Sequence, residues 1–220
     1  MPSVKIPRKS TDTDMTPFVD VAFLILSFFM LATKFKPPEP VEIVTPNSVS
    51  SDKIQQNDAL LVTMDKSGRV FFSMMAEANG GQAKYDFIQN LNKTRNLGLT
   101  EAEMKSFQRN LSPIGVPFSQ LKSYLSTPAE QQGKINQPGI PVKDSASNEL
   151  YYWVRDAVTL MAGRQVKYFI KGDNNAKYPD FKNVVSAFKR NDIYKFSLIT
   201  NPEDAPIGSP MWKNQQEQKK

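Results

Sequence analysis

Residues 16–33 read TPFVDVAFLILSFFMLAT, and Asp20 is the only ionisable residue among them. The apolar side chains fall on every side of a helix rather than along one stripe, so this is not the half-buried helix of a soluble domain. Extended to Phe35, the run has 20 residues, about 30 Å as a helix, which matches the hydrocarbon core of a bilayer. Thr16 followed by Pro17 supplies a helix start. The threonine can cap, and proline at the first helical position gives up an N–H that would have no partner there. Lys34 and Lys36 can snorkel at the far end, and Pro37-Pro38 stops the helix. The segment reads as a retained transmembrane anchor. A cleaved signal peptide fits worse, because the apolar core exceeds an h-region of roughly 7–15 residues and no small-residue cleavage site follows it.

The rest of the composition excludes more than it identifies. There is no histidine and no cysteine in 220 residues. Cys/His zinc sites, thiol nucleophiles, Ser-His-Asp triads and disulfides are therefore impossible. No glycine-rich phosphate loop, carboxylate cluster or nucleophile motif appears, so the chain is read as a non-enzyme with no cofactor and no metal. The net charge of +6 and the mean hydropathy of -0.45 describe, on average, a basic soluble protein. That average hides the apolar segment. The basic residues are interleaved with acids (Lys171 with Asp173, Lys182 with Asp180, Arg190 with Asp192), which is a solvated mixed-charge surface rather than a nucleic-acid stripe.

Lys5, Arg8 and Lys9 precede the apolar segment and Lys34 and Lys36 follow it, a small positive-inside bias toward a cytoplasmic N-terminus. Asp20 lies about 6 Å along the axis from Thr16, in the outer part of the core. Two readings of it stand side by side. It is a first-turn acid favoured by the helix dipole and reaching the headgroups, or it is an intramembrane functional group. Thr16, Asp20, Ser27 and Lys34 recur at spacings of four and seven and so share one side of a helix. A polar stripe on a single-pass helix needs a membrane partner or a second copy to cover it.

These residues resemble a family. DMTPFVDVAFLILSFFML is similar to the signature segment of the ExbD/TolR family of bacterial inner-membrane proteins, with Thr16, Pro17 and Asp20 on its motif positions. The extended stretch PVEIVTPNS at 40–48 is similar too. So is KYFIKGDNNAKYPDFKNVVSAFKR, where Lys171, Gly172, Asp173, Tyr178 and Val184 match a strand, an acidic turn and a Tyr-led helix. The resemblance implies a proton-motive-force-transducing subunit working beside an ExbB/TolQ-like multi-pass protein. Asp20 would be the proton-relay group; Thr16 and Ser27, by their helical spacing rather than by the resemblance, are read as a supporting polar stripe. It also implies a homodimer, a TonB-like periplasm-spanning partner and the lipid bilayer as surroundings. Peptidoglycan is a further possible contact, and nucleic acid is not a partner. The alternatives are a Tol-Pal-type envelope-maintenance subunit and a passive membrane-anchored periplasmic binding or scaffold protein.

The expected organisation is a cytoplasmic tail (1–15), a transmembrane helix (16–36), an extended linker (37–58), a periplasmic domain (59–205) and a C-terminal tail (206–220). The linker contains one extended stretch, Val41–Val44. The domain is expected to be an α+β two-layer fold. ALLVTM and RVFFSM flank Asp65–Gly68 as a hairpin. Leu150, Trp153, Val154, Ala157, Val158 and Met161 have helical spacing. VKYFI reads as a strand, Phe181, Val184, Val185 and Phe188 as a helix, and FSLIT as a final strand. Between about 76 and 147 the chain departs from the family's pattern with a largely helical insertion. Tyr85, Ile88 and Leu91 mark one helix. Thr100 to Glu103 opens another by a capping box, followed by Met104, Phe107 and Leu111. GKINQPGIPVKD reads as an exposed loop, and Asp173-Asn174-Asn175 as a turn.

Overall fold

The computed structural model describes residues 15–32, 39–49, 58–76, 81–143, 147–210 and 212. The chain divides into two compact units, Met1–Pro37 and Pro38–Lys220. The described part of the first unit is helix α1, Thr16–Ala32. Its first bond runs from the Val19 N–H to the Met15 carbonyl at 3.1 Å. The helix thus begins one residue earlier than a Thr16 cap implies, and Pro17 is its second residue. Thr33 to Pro38, including Lys34 and Lys36, lie outside the described residues, as do Lys5, Arg8 and Lys9. With 17 residues, described α1 is about 25 Å long. Among the described residues no helix is long and apolar enough to cross a membrane.

The second unit is an α+β fold. Strands β2 (Ala59–Met64) and β3 (Val70–Met75) form the expected hairpin, paired antiparallel with Met64 opposite Val70. Its turn closes through the Gly68 N–H to the Asp65 carbonyl at 3.1 Å, with Gly68 at φ 81°. Glycine takes that left-handed backbone without a side-chain clash. Strand β4 (Lys167–Gly172) lies parallel to β2, and β5 (Ser197–Ile199) lies parallel to β4, giving the order β3-β2-β4-β5. Helix α7 (Tyr178–Lys189) makes the crossover from β4 to β5. A second, two-residue ladder pairs β1 (Asn47–Ser48) with β6 (Asn201–Pro202). Val41–Val44 itself forms no strand; the pairing falls three residues later.

Between β3 and α6 (Glu149–Leu160) come α2 (Gln82–Arg95), α3 (Glu101–Arg109), α4 (Phe118–Ser126) and the single turn α5 (Ala129–Gln132). The capping box at α3 is present in full. The Thr100 hydroxyl accepts from the Glu103 N–H, and the Glu103 carboxylate accepts from the Thr100 N–H at 2.8 Å. Leu111 departs from the expectation: α3 ends at Arg109, and Leu111 is 65% exposed rather than part of the helical core.

These helices share one hydrophobic core with the sheet. Its centre is Trp153, fully buried, with ring centroids of Phe72, Phe118, Phe87 and Phe107 at 5.2, 5.7, 5.8 and 6.2 Å. Phe87 comes from α2, Phe107 from α3, Phe118 from α4 and Phe72 from β3. The segment read as an insertion is therefore built into the domain rather than hung upon it.

The stretch read as an exposed loop is also built in, which corrects that reading. Gln137, Ile140 and Val142 are buried at 2, 3 and 4% exposure. The Ile140 N–H donates to the Val70 carbonyl at 2.8 Å, and Phe72 exchanges both backbone bonds with Ile114. These bonds cover the outer edge of β3, where unpaired strand groups would otherwise invite another chain. Periodicity missed this because the bonds join residues about 40 to 70 apart in sequence. Gly115 is required for the same closure: a Cβ there would meet the Phe71 ring at 2.2 Å.

Candidate functional site

Helix α1 carries the predicted stripe. At about 100° per residue, Thr16, Asp20 and Ser27 fall within an arc of roughly 40°. The structure therefore does bring these three onto one face, while Lys34 lies outside the described residues. Pro17 sits beside Thr16 in the first turn.

The two polar side chains on this stripe with described environments differ. Ser27 is part-buried, and its hydroxyl donates to the Leu24 carbonyl at 2.9 Å, one turn back on its own helix. Its proton is thus held by the helix backbone rather than offered along the stripe. Asp20 is exposed and makes no hydrogen bond or ion pair with any described residue. It is the sole ionisable side chain between Thr16 and Ala32.

Around it the apolar surface is open. Phe18, Phe23, Phe28, Met30 and Leu31 are 69, 64, 66, 72 and 87% exposed, and no residue of α1 is buried. An isolated apolar surface of this kind is not stable in water and requires lipid or protein against it. Chemically, the stripe offers one carboxyl group able to take up and release a proton, set in an otherwise apolar helix. No group of three metal-ligating side chains occurs among the described residues.

The second unit fastens the chain that follows α1. Glu39 pairs with Lys171 of β4 at 2.7 Å. The Asp173 carboxylate accepts the Asn175 N–H at 2.9 Å and the Val44 N–H at 3.1 Å, and the Asn174 N–H donates to the Val44 carbonyl. Those two backbone donors hold the Asp173 carboxyl below the usual carboxylate range. The first also makes the expected turn at 173–175. Asn201 then binds the Thr45 carbonyl at 3.0 Å beside the β1–β6 ladder. The stretch is therefore fastened at three points, Glu39 to β4, Val44 to the turn after β4, and residues 45–48 to β6, rather than slack. Sequence reasoning took this stretch as a linker. The one available sign was its pairing of an acid at 39 and extended residues with the acidic turn more than 120 residues away, which no local pattern links.

Of the other motif positions, Val184 is fully buried in the core and Tyr178, the first residue of α7, is 73% exposed.

A family profile described as "Biopolymer transport protein ExbD/TolR" matches residues 7–203. No curated protein and no solved structure gives a significant match.

Proposed function

This chain belongs to the ExbD/TolR family of biopolymer-transport proteins, and from that premise we propose that Asp20 is the protonatable group of an inner-membrane energy-transducing complex. Members of the family are transport and energy-transduction subunits rather than enzymes, usually working with ExbB/TolQ-like partners. In this reading α1 is a single-pass anchor with its N-terminus in the cytoplasm and the second unit in the periplasm. The observation that carries it is a lone carboxyl group on a helix whose exposed surface, Thr16 and the part-buried Ser27 aside, is apolar.

The mechanism follows from where a carboxylate is tolerated. A charged carboxylate facing lipid is costly, about 2.5–3.5 kcal/mol at a helix centre. It is tolerated when neutral, or when charged and facing water or a polar partner wall. Proton uptake on one side and release on the other then change which surroundings the α1 face prefers. Each proton crossing 100 mV releases about 2.3 kcal/mol, which biases rotation of the helix against a partner ring. The fastening of residues 39–48 to β4, the turn after it and β6 supports the next step, since tension arriving at Glu39 meets a folded domain rather than a slack tether. The work is delivered to a TonB-like partner and onward to outer-membrane transport, by a homodimer of this chain.

The test is Asp20→Asn in cells, with the variant still assembled with its membrane partner. Loss of energy-dependent outer-membrane uptake is expected. Undiminished uptake at equal assembly would leave a passive anchored scaffold as the better reading.

A further inference from the structure

Three guanidinium groups and two phenol rings form one continuous strip on the second unit. The Arg95 guanidinium, in the last turn of α2, lies 3.3 Å from the centre of the Tyr152 ring on α6. Arg155 of α6 lies 5.3 Å from the same ring. Tyr151 meets Tyr152 edge-on at 4.9 Å, and Arg190, which closes α7, lies 4.2 Å over Tyr151. We propose that this strip docks an extended acidic segment of a partner protein, with Arg95 holding one of its carboxylates. The strip does not depend on the role of Asp20.

Arg95 forms no bond that the fold uses. Among the described residues its guanidinium makes no hydrogen bond and no ion pair, and its Nε is buried without an acceptor. A donor buried in this way costs stability, so the fold alone is better served by a side chain without one. Stacking on Tyr152 holds the flat guanidinium in one orientation and leaves its outer edge set for a two-point contact with a carboxylate. The acids beside it are turned to other partners. Asp156 is 2% exposed and accepts from Arg155 and from the Thr94 hydroxyl. Glu149 accepts the Phe118 N–H at 2.7 Å, and burial pushes its carboxyl up. The chain enters α6 from the α7 side, where Asn148 donates to the Asn183 carbonyl, whereas Arg95 comes from α2.

The surface selects a peptide over other anions. Rings separate the guanidinium groups, so the ligand needs spaced charges rather than one compact ion. Carboxylates at alternate positions of an extended chain stand about 7 Å apart and can meet them in turn. Both phenols are half-buried, and their hydroxyls make no bond among the described residues. Each can donate to a carboxylate or accept from a peptide N–H. The Arg95 stack takes a face of Tyr152 that a nucleic-acid base would need. Lys93 and Lys189 add positive charge in the same last turns of α2 and α7, which draws an acidic partner and weakens with salt.

Ligand-observed NMR on the full chain in nanodiscs of neutral lipid tests this with three probes. They are a capped peptide of alternating glycine and aspartate, the same peptide with asparagine, and inorganic tripolyphosphate. The aspartate peptide is expected to bind at least about tenfold tighter than the asparagine one, and more weakly as salt rises. Arg95→Gln should weaken it about tenfold without lowering the unfolding midpoint, because no hydrogen bond is lost. Arg190→Gln should weaken it as well, and Lys167→Gln at the start of β4 should not. Arg190 is exposed, so its variant keeps the fold even if Arg95→Gln does not. Three results would each overturn the proposal: equal binding of the two peptides, wild-type binding by either arginine variant, or tripolyphosphate binding as tightly as the aspartate peptide, which marks a general polyanion surface. No binding of the aspartate peptide to the wild-type chain overturns it too.

Discussion

Asp20 and Ser27 share one face of α1, seven residues or about 10 Å apart along the axis. Their proton economies are opposite. The Ser27 hydroxyl is bonded to Leu24 of its own helix, and Asp20 has no partner among the described residues. The two sites should therefore respond differently to substitution. Ser27→Ala removes a bond that the helix does not need, so energised uptake should change by less than about twofold. Ser27→Leu, which thickens the same face, should reduce uptake strongly. A large loss in Ser27→Ala would instead make the hydroxyl part of the proton path.

The hairpin turn depends on Asp65. Its carboxylate, only 5% exposed, accepts the N–H and hydroxyl of Ser67, the N–H of Arg69 and the Arg69 guanidinium at 2.7 Å. Burial pushes the carboxyl up, but the bonds from Ser67 and Arg69 outweigh it and hold it below the usual range. Because the folded value is depressed, the contribution is present above the unfolded value near 3.9 and is lost as pH falls through the folded value. Asp65→Asn should cost about 2 kcal/mol at pH 7. In denaturant titrations the gap from wild type should hold between pH 5 and 7 and close below about pH 4.

Thr100→Ala should lower stability by about 1 kcal/mol, the usual effect of removing a capping hydroxyl. Glu103 reinforces the box through the Thr100 N–H and the Ser126 hydroxyl. The double variant with Glu103→Gln should accordingly cost less than the sum of the single changes.

Gly115→Ala places a methyl within 2.2 Å of the Phe71 ring. A cost of about 2–3 kcal/mol is expected from overpacking. Phe71→Leu in the same chain should recover part of it, a coupling that thermal or denaturant unfolding measures directly.

The elements that can be read from sequence are those whose cause is local. The β2–β3 hairpin follows from a turn between two apolar runs, the α3 start from Thr100 and Glu103, and the α6 and α7 faces from 3.6-residue periodicity. Thr16, Asp20 and Ser27 are legible as a stripe for the same reason. What escapes is set by distant backbone partners. Ile140 is buried because its N–H closes on Val70, and Val44 is held because Asp173 accepts from it. Leu111 misleads because the helical spacing continues past the point where Asn110, with ψ 124°, leaves the helix.

Proton flux through the assembled complex tests the role of Asp20 most directly. The full chain, purified with its multi-pass membrane partner and reconstituted in liposomes carrying a pH-sensitive dye, would be compared with Asp20→Asn and Asp20→Glu at equal yield of complex. If Asp20 is the relay, Asp20→Asn falls to the level of empty liposomes and Asp20→Glu retains measurable flux. Wild-type flux through Asp20→Asn would contradict it.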